Sequence, residues 1–238
     1  MRTLESTALP SSADILALVP IATVKANLRI VHTREDARVS DCILFAFAYF
    51  DGQYGYLRRS ILPSQWVMTL PGFMKPGARA DHHDVARTRW TISDVIDIPL
   101  PPLRSVDRIR YRQASDGAWQ TLYAPNDSMP VTSDVLFVQP SEANFGRIHL
   151  LDQKAWPDTV VHPGAVEISF TAGWASAADV MLKASGIARA IAILAADFYE
   201  NPVDTRDDVR SIVINRKIAN GIERSAGRYR FFLDMGYG

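Results

Sequence analysis

The run Asp81-His82-His83-Asp84 sets two imidazoles beside two carboxylates. Both groups ligate metals, so this is the first place to look for an ion. Adjacent histidines on one loop rarely reach a single ion without distant partners, and no H-E-x-x-H spacing occurs. The run reads as a solvated loop, with a metal as the sharper alternative. The single cysteine, Cys42, lies in an apolar stretch of helical period and reads as a buried, inert thiol. One cysteine also rules out an intramolecular disulfide, so the chain needs no oxidising compartment. Ser169–Trp174, SFTAGW, lacks the G-x-S-x-G of a nucleophile elbow. Neither G-x-x-x-x-G-K-S/T nor G-x-G-x-x-G occurs, so no phosphate loop is marked. The five tryptophans are scattered, which suits core or interface better than a sugar platform. The residues therefore assign no catalytic group, no cofactor and no metal.

Composition narrows the class. The chain has 238 residues, 47% of them hydrophobic, enough for one large domain or two small ones with a real core. Lys+Arg and Asp+Glu both number 26. A dedicated nucleic-acid binder carries a basic excess, because phosphate neutralisation supplies most of its affinity. The opening MRTLESTALPSSADILALVP has an early acid and a short apolar run, unlike a signal peptide. No apolar run is long enough to span a bilayer. The expectation is a soluble intracellular protein that meets no membrane.

The elements fall into three blocks. Residues 1–15 are Ser/Thr/Pro-rich and read as a loose, flexible arm. Residues 16–58 read as helical. A short helix is predicted over LVPIATVKANLRIV, with Val24, Leu28 and Val31 on one face. A second, opened by Thr33 and Asp36, is expected to run roughly from Arg34 to Leu57 and carries Val39, Ile43, Phe47, Phe50, Tyr54 and Leu57 at three- and four-residue steps. Gly52 and Gly55 argue for its ending near Phe50. Residues 59–175 change to a period of two. Strands are expected around Trp66 and Met68, in RWTISDVIDIPL, in SVDRIRYR with Val106, Ile109 and Tyr111 inward, and in DVLFVQP, GRIHLLD and AVEISFTAGW. The imperfect alternation in SVDRIRYR implies a bulge. Asp116-Gly117 suits a tight hairpin turn. Pro99–Pro102 suits a sheet edge or a stiff lead-in.

Helical period returns over 176–225. One helix runs from Ala177 to Glu200, with Val180, Ala184, Ile187, Ile191, Leu194 and Phe198 in one stripe, and stops at Asn201-Pro202. Another lies within Asp204 to Arg224, with Val209, Ile212, Ile218 and Ile222 apolar. Helices at both ends and grouped strands between predict an α+β fold: a helical bundle from the N- and C-terminal segments with an inserted antiparallel β domain. Residues 226–238 form a C-terminal arm. Tyr229, Phe231, Leu233, Met235 and Tyr237 alternate there with Arg228, Arg230 and Phe232, a strand pattern able to join a partner's sheet edge or groove. From Thr205 to Arg230 the net charge is +4. The alternative is that this arm folds back on its own subunit.

Five stretches, in order, resemble the head–tail connector family of tailed bacteriophages and gene transfer agents, the adaptor or head-completion proteins beneath the portal. Ala22, Lys25, Leu28, Arg29, Ile30 and Asp36 match its opening helix pair, and Ser64–Trp66 its next strand. Pro99, Pro101, Pro102, Leu103, Ser105, Val106, Tyr111, Asp116 and Gly117 match its most recognisable run. Gly146, Arg147, Ile148, Trp156, Pro157 and Phe170–Gly173 match later strands, and Tyr199, Glu200 and Asn201 the end of the closing helix. The resemblance covers residues 18 to 201; Phe73–Thr91 and the tail after Pro202 depart from it. It implies a structural virion protein at the head–tail interface, made in the host bacterial cytoplasm. It implies no enzyme, but a dodecameric homo-oligomeric ring binding the portal protein above and a stopper or tail terminator below. DNA would pass through the lumen without specific binding. The helices would build the ring wall and the β insert a platform, angled by Pro99–Pro102. Outside the resemblance, the strand pattern and basic neighbourhood of the tail make Arg228, Tyr229, Arg230, Phe231, Phe232, Leu233, Met235 and Tyr237 the expected portal-binding arm. A competing class is an enzyme or ligand-binding module with its site in the β region near Asp81–Asp84.

Overall fold

The computed structural model describes residues 2–73, 95–124, 136–139, 146–150, 155–201 and 216–231. The class is α+β: among the described residues the helices form a bundle from two separated segments of the chain, and the antiparallel strands lie between those segments except for the first, Thr3–Ala8, which precedes them. The described residues divide into a β unit, those within 2–9 and 64–173, and a helical unit, those within 10–63 and 174–231.

The helical unit contains α1 (Ser12–Leu18), α2 (Ile21–Leu28), α3 (Asp36–Phe50), α4 (Ala177–Glu200) and α5 (Arg216–Ala226). The expected apolar stripes form its core. Val39, Ile43, Phe47 and Phe50 of α3 are buried with Val180, Ala184, Ile187, Ile191, Leu194 and Phe198 of α4. Each Val, Ile, Leu or Phe side chain among them contributes about 1.5–3 kcal/mol relative to exposure. Helix α3 ends at Phe50, as the glycines implied. Tyr54 therefore leaves the predicted stripe and is 93% exposed, while Leu57 is buried from the loop. Helix α4 is kinked, with non-helical φ/ψ at Ala184 just before Ser185-Gly186, a residue pair at which helices bend. A Cβ on Gly186 would meet the Ser225 carbonyl oxygen, so this glycine lets α5 lie against α4.

The expected loose arm of residues 1–15 is structured instead. Thr3–Ala8 forms strand β1, and Ser11 caps α1. The Ser11 hydroxyl accepts from the Asp14 N–H at 3.2 Å, and the Asp14 carboxylate accepts from the Ser11 N–H at 3.3 Å. Ser/Thr-rich composition thus marks a capping box and an exposed strand here, not disorder. Leu4 alone in β1 is half-buried, which leaves no alternation to detect.

The β unit adds β2 (Ser64–Leu70), β3 (Val95–Ile98), β4 (Leu103–Arg112), β5 (Trp119–Tyr123), β6 (Leu136–Gln139), β7 (Gly146–Leu150) and β8 (Val166–Ala172). They make a five-stranded sheet, β1-β2-β8-β4-β5, and a three-stranded sheet, β3-β7-β6, both antiparallel. Phe170 of β8 lies opposite Trp66 on one side and Val106 on the other; Ile168 lies opposite Met68 and Ile109. These side chains share one core with Ile98 and Ile148 of the smaller sheet. The expected irregularity in β4 is present as register shifts between Leu103/Ser105 and Val106/Arg108. A Cβ on Gly146 would overlap the Leu103 side chain, so glycine admits β4 there. Before β4, Leu100 is buried with φ +64°, a left-handed conformation that a leucine holds only when its surroundings fix it. The predicted apolar positions Val209 and Ile212 lie outside the described residues; Ile218 and Ile222 pack on the helical core.

Gly186→Ala should lower the thermal midpoint measured by circular dichroism, by an overpacking cost of about 1–3 kcal/mol. An unchanged midpoint would show that α4 and α5 part freely at this point.

Candidate functional site

Residues singled out for chemistry come to different ends. Asp81–Asp84 lie outside the described residues. Among the described residues no group of three His, Cys, Asp or Glu is placed to hold a metal. Cys42 is half-buried on α3, and burial raises its thiol pKa above the ordinary value, against an opposing pull from Arg38. A thiol held protonated is a poor nucleophile. Among the described residues no helix is long and apolar enough to cross a membrane.

The proposed arm begins in a cation–aromatic node of the helical unit. Gly227–Tyr229 form a 3₁₀ turn, so the strand pattern read from Arg228 and Tyr229 does not hold there. The chain turns extended at Arg230. Tyr229 packs on the helical core, and the Arg228 guanidinium lies 4.6 Å from its ring centroid. Arg230 lies over the Tyr56 ring at 4.8 Å, and the Phe231 N–H donates to the Leu57 carbonyl at 2.8 Å. These four residues rest on their own subunit; Phe232, Leu233, Met235 and Tyr237 lie outside the described residues. Tyr56 stacks on Tyr49 at 6.0 Å, and its hydroxyl donates to the Glu223 carboxylate. Burial first, then Glu223, pushes the Tyr56 pKa up to about 12.

Beneath the same turn, Arg59 is 5% exposed and lies 5.1 Å from the Trp174 ring centroid. Among the described residues it has no carboxylate in reach. Burial holds its pKa down to about 10, partly offset by Tyr229. The loop bearing Arg59 is closed by Asp51, whose carboxylate accepts from the Ile61 N–H at 2.7 Å. Burial pushes Asp51 up to about 7, against the stabilising N–H groups of Ile61 and Gly52.

Other residues that carried the family resemblance meet as structural contacts. Lys25 pairs with Asp36 at 2.6 Å, joining α2 to the start of α3. The Tyr199 hydroxyl donates to Glu35, while Arg38 donates to the Tyr199 carbonyl at 3.0 Å and covers its ring at 4.4 Å. The end of α4 is thereby clamped to the start of α3. Between α1, α2, α4 and α5 lies a cleft of about 600 Å³ lined mainly by apolar side chains, with Arg189, Asp197 and Glu200 also on its wall.

Sequence reasoning missed a patch on the β unit. Trp119, 39% exposed, lies 4.5 Å from the guanidinium of Arg110 and 5.0 Å from that of Arg112. Arg110 also pairs with Glu167 at 2.7 Å. The signal was present: a basic RIRYR alternation returning, after the Asp116-Gly117 turn, through a tryptophan.

No protein-family model matches the chain, and no curated protein matches it. Solved structures do. A chain in the neck of an empty gene transfer agent particle, computed with C6 symmetry, aligns with TM-score 0.62 at 20% identity over 98% of both chains. The chain shares that fold. A neck of the native particle, computed with C12 symmetry, gives TM-score 0.61 at 20% identity and 98% coverage of both chains, and the native virion gives 0.58 at 20% and 94%.

The raised Asp51 pKa sets a pH test. A carboxyl near pH 7 when folded and about 4 when unfolded contributes stability in full below about pH 4, and loses it as pH rises through 7. Asp51→Asn retains an acceptor for the Ile61 N–H and removes the charge. Its urea midpoint should exceed the parent's at pH 8 and converge with it at about pH 4. A gap independent of pH would refute the assignment.

Proposed function

We propose that this chain is a structural virion protein, a head–tail connector or adaptor that forms a homo-oligomeric ring between the portal and the tail of a phage-like or gene transfer agent particle. The observation that carries this reading is the likeness over 98% of both chains to a neck chain, in which both the helical and the β unit take part. The C6 and C12 symmetries of those necks favour a ring, with twelve copies as the expected number. No catalytic step is assigned.

The physical work of such a subunit is geometric. It binds the portal above, presents a surface to a stopper or tail terminator below, and leaves a lumen for DNA. Equal numbers of acidic and basic residues, 26 each, suit a wall past which a polyanion slides without being captured. The motif residues Lys25, Asp36, Tyr199 and Gly146 support the reading because they fix helix ends and strand approach. In this reading the arm beyond Phe231 reaches the portal, while Arg228–Phe231 root it to its own subunit. The platform role of the β unit, and the part Pro99–Pro102 plays in angling it, belong to the same proposal.

Electron microscopy of particles carrying a tagged copy of the chain should place the label at one site between portal and tail. Label on the shell, on the tail tip or absent from particles would overturn the reading. Removing residues 232–238 should weaken binding to purified portal at least about tenfold, about 1.4 kcal/mol, with the thermal midpoint unchanged. Undiminished portal binding would remove the arm from the interface.

A further inference from the structure

A buried cation of the helical unit lacks an acceptor. Arg59 is 5% exposed, and its side chain makes no hydrogen bond or ion pair among the described residues. Its Nε is closed off without a partner, and so is the indole Nε1 of Trp174, on whose ring the guanidinium lies at 5.1 Å. Buried N–H donors are nearly always satisfied, so two orphans in one stack require a reason. The ring offsets part of the cost of burying the charge but offers the N–H groups no oxygen.

The stack lies beside the root of the arm. Tyr229 is close enough to act on the Arg59 charge. Just before Arg59 in the chain, Tyr56 lies under Arg230 and the Leu57 carbonyl accepts from the Phe231 N–H. The surroundings are cationic. Half-buried Arg58 and exposed Arg228 have no ion pair among the described residues. The acids of the same region are engaged already: Glu223 accepts from the Tyr56 hydroxyl, and Asp51 from the Ile61 N–H.

This arrangement suits a carboxylate brought by another chain. The planar fork of a guanidinium matches a carboxylate through two parallel hydrogen bonds. Arginine and tryptophan are also the types enriched at the energetic centres of interfaces. A single side chain reaches a guanidinium that is 5% exposed; the backbone of a DNA duplex does not. Burying a charge unpaired costs a subunit stability, and a partner that supplies the counter-charge offsets that cost. Of the proposed partners, the portal is the one to which the neighbouring arm leads.

We propose that Arg59, backed by Trp174, seats an acidic side chain of the portal, so that assembly gives the guanidinium the acceptor its own subunit does not provide. The inference rests on the connector reading and deepens it.

Binding kinetics of the full chain on immobilised purified portal test the seat, with the thermal midpoint measured alongside. Arg59→Met keeps most of the side chain's bulk and removes the charge. Its midpoint should equal or exceed the parent's, because an unpaired buried charge has gone. Its dissociation from the portal should be at least about tenfold faster. Neutralising the acidic residues of the portal one at a time, Asp→Asn or Glu→Gln, should then identify the partner: one such change weakens the parent at least about tenfold and leaves Arg59→Met unaffected. A Met variant that dissociates like the parent, or a portal with no acid coupled to Arg59, would overturn the seat and leave the connector reading standing. A lowered midpoint, or a Met variant that does not fold, would make Arg59 a residue of the subunit's own packing and overturn the seat as well. Failure of the parent chain to bind any portal would overturn both.

Discussion

Alternate burial along Val166–Ala172 is the constraint from which the β unit follows. Every second residue of β8 faces inward, and its neighbours β2 and β4 present Trp66, Met68, Val106 and Ile109 to the same side. A slip of one residue would turn that whole set to water, so the register is strongly specified. Strand β4 satisfies it only by bulging twice, which keeps Leu103, Val106 and Ile109 inward despite their three-residue spacing. Once β8, β2 and β4 are fixed, β1 and β5 fall at the rims, and the outer face is left with Glu167, Ser169 and Thr171.

The helical unit is held differently. Its apolar stripes supply most of the burial, and its polar contacts decide where helices start and stop. Exposed ion pairs add little stability. The Lys25 side chain, however, is only 12% exposed against 37% for Asp36, so this pair is better shielded than an ordinary surface bridge. Tyr199, Glu35 and Arg38 act as a single clamp because the tyrosine offers hydroxyl, ring and backbone carbonyl at once. Arg59 is the expensive member of the unit. A buried guanidinium stacked on Trp174, with no carboxylate in reach among the described residues, costs desolvation that the cation–π contact partly offsets.

The polar residues that carried the family resemblance are spent on joining elements, and the titratable groups with raised or lowered pKa values, Asp51, Tyr56 and Arg59, sit in the packing around the loop from Asp51 to Leu62 and the 3₁₀ turn. The other features are broader: an apolar cleft in the helical unit and an arginine–tryptophan stack on the β unit.

The sequence by itself determined the α+β class, the long helices α3 and α4, the bulged β4 and the hairpin at Asp116-Gly117. In each the periodicity of burial is written in consecutive residues. It also carried, in Ser11 and Asp14, a cap that composition alone disguised as a loose arm. Only the tertiary structure decided the rest. That β1 is a strand depends on pairing with β2, sixty residues away in the chain, and leaves no local period. That Tyr229 belongs to a 3₁₀ turn, not a strand, depends on the helical core it packs against, which overrides the alternation of its neighbours. That Trp119 meets two arginines depends on the cross-strand register of the hairpin, which sets Trp119 opposite Arg112 and which the short-range alternation alone does not fix.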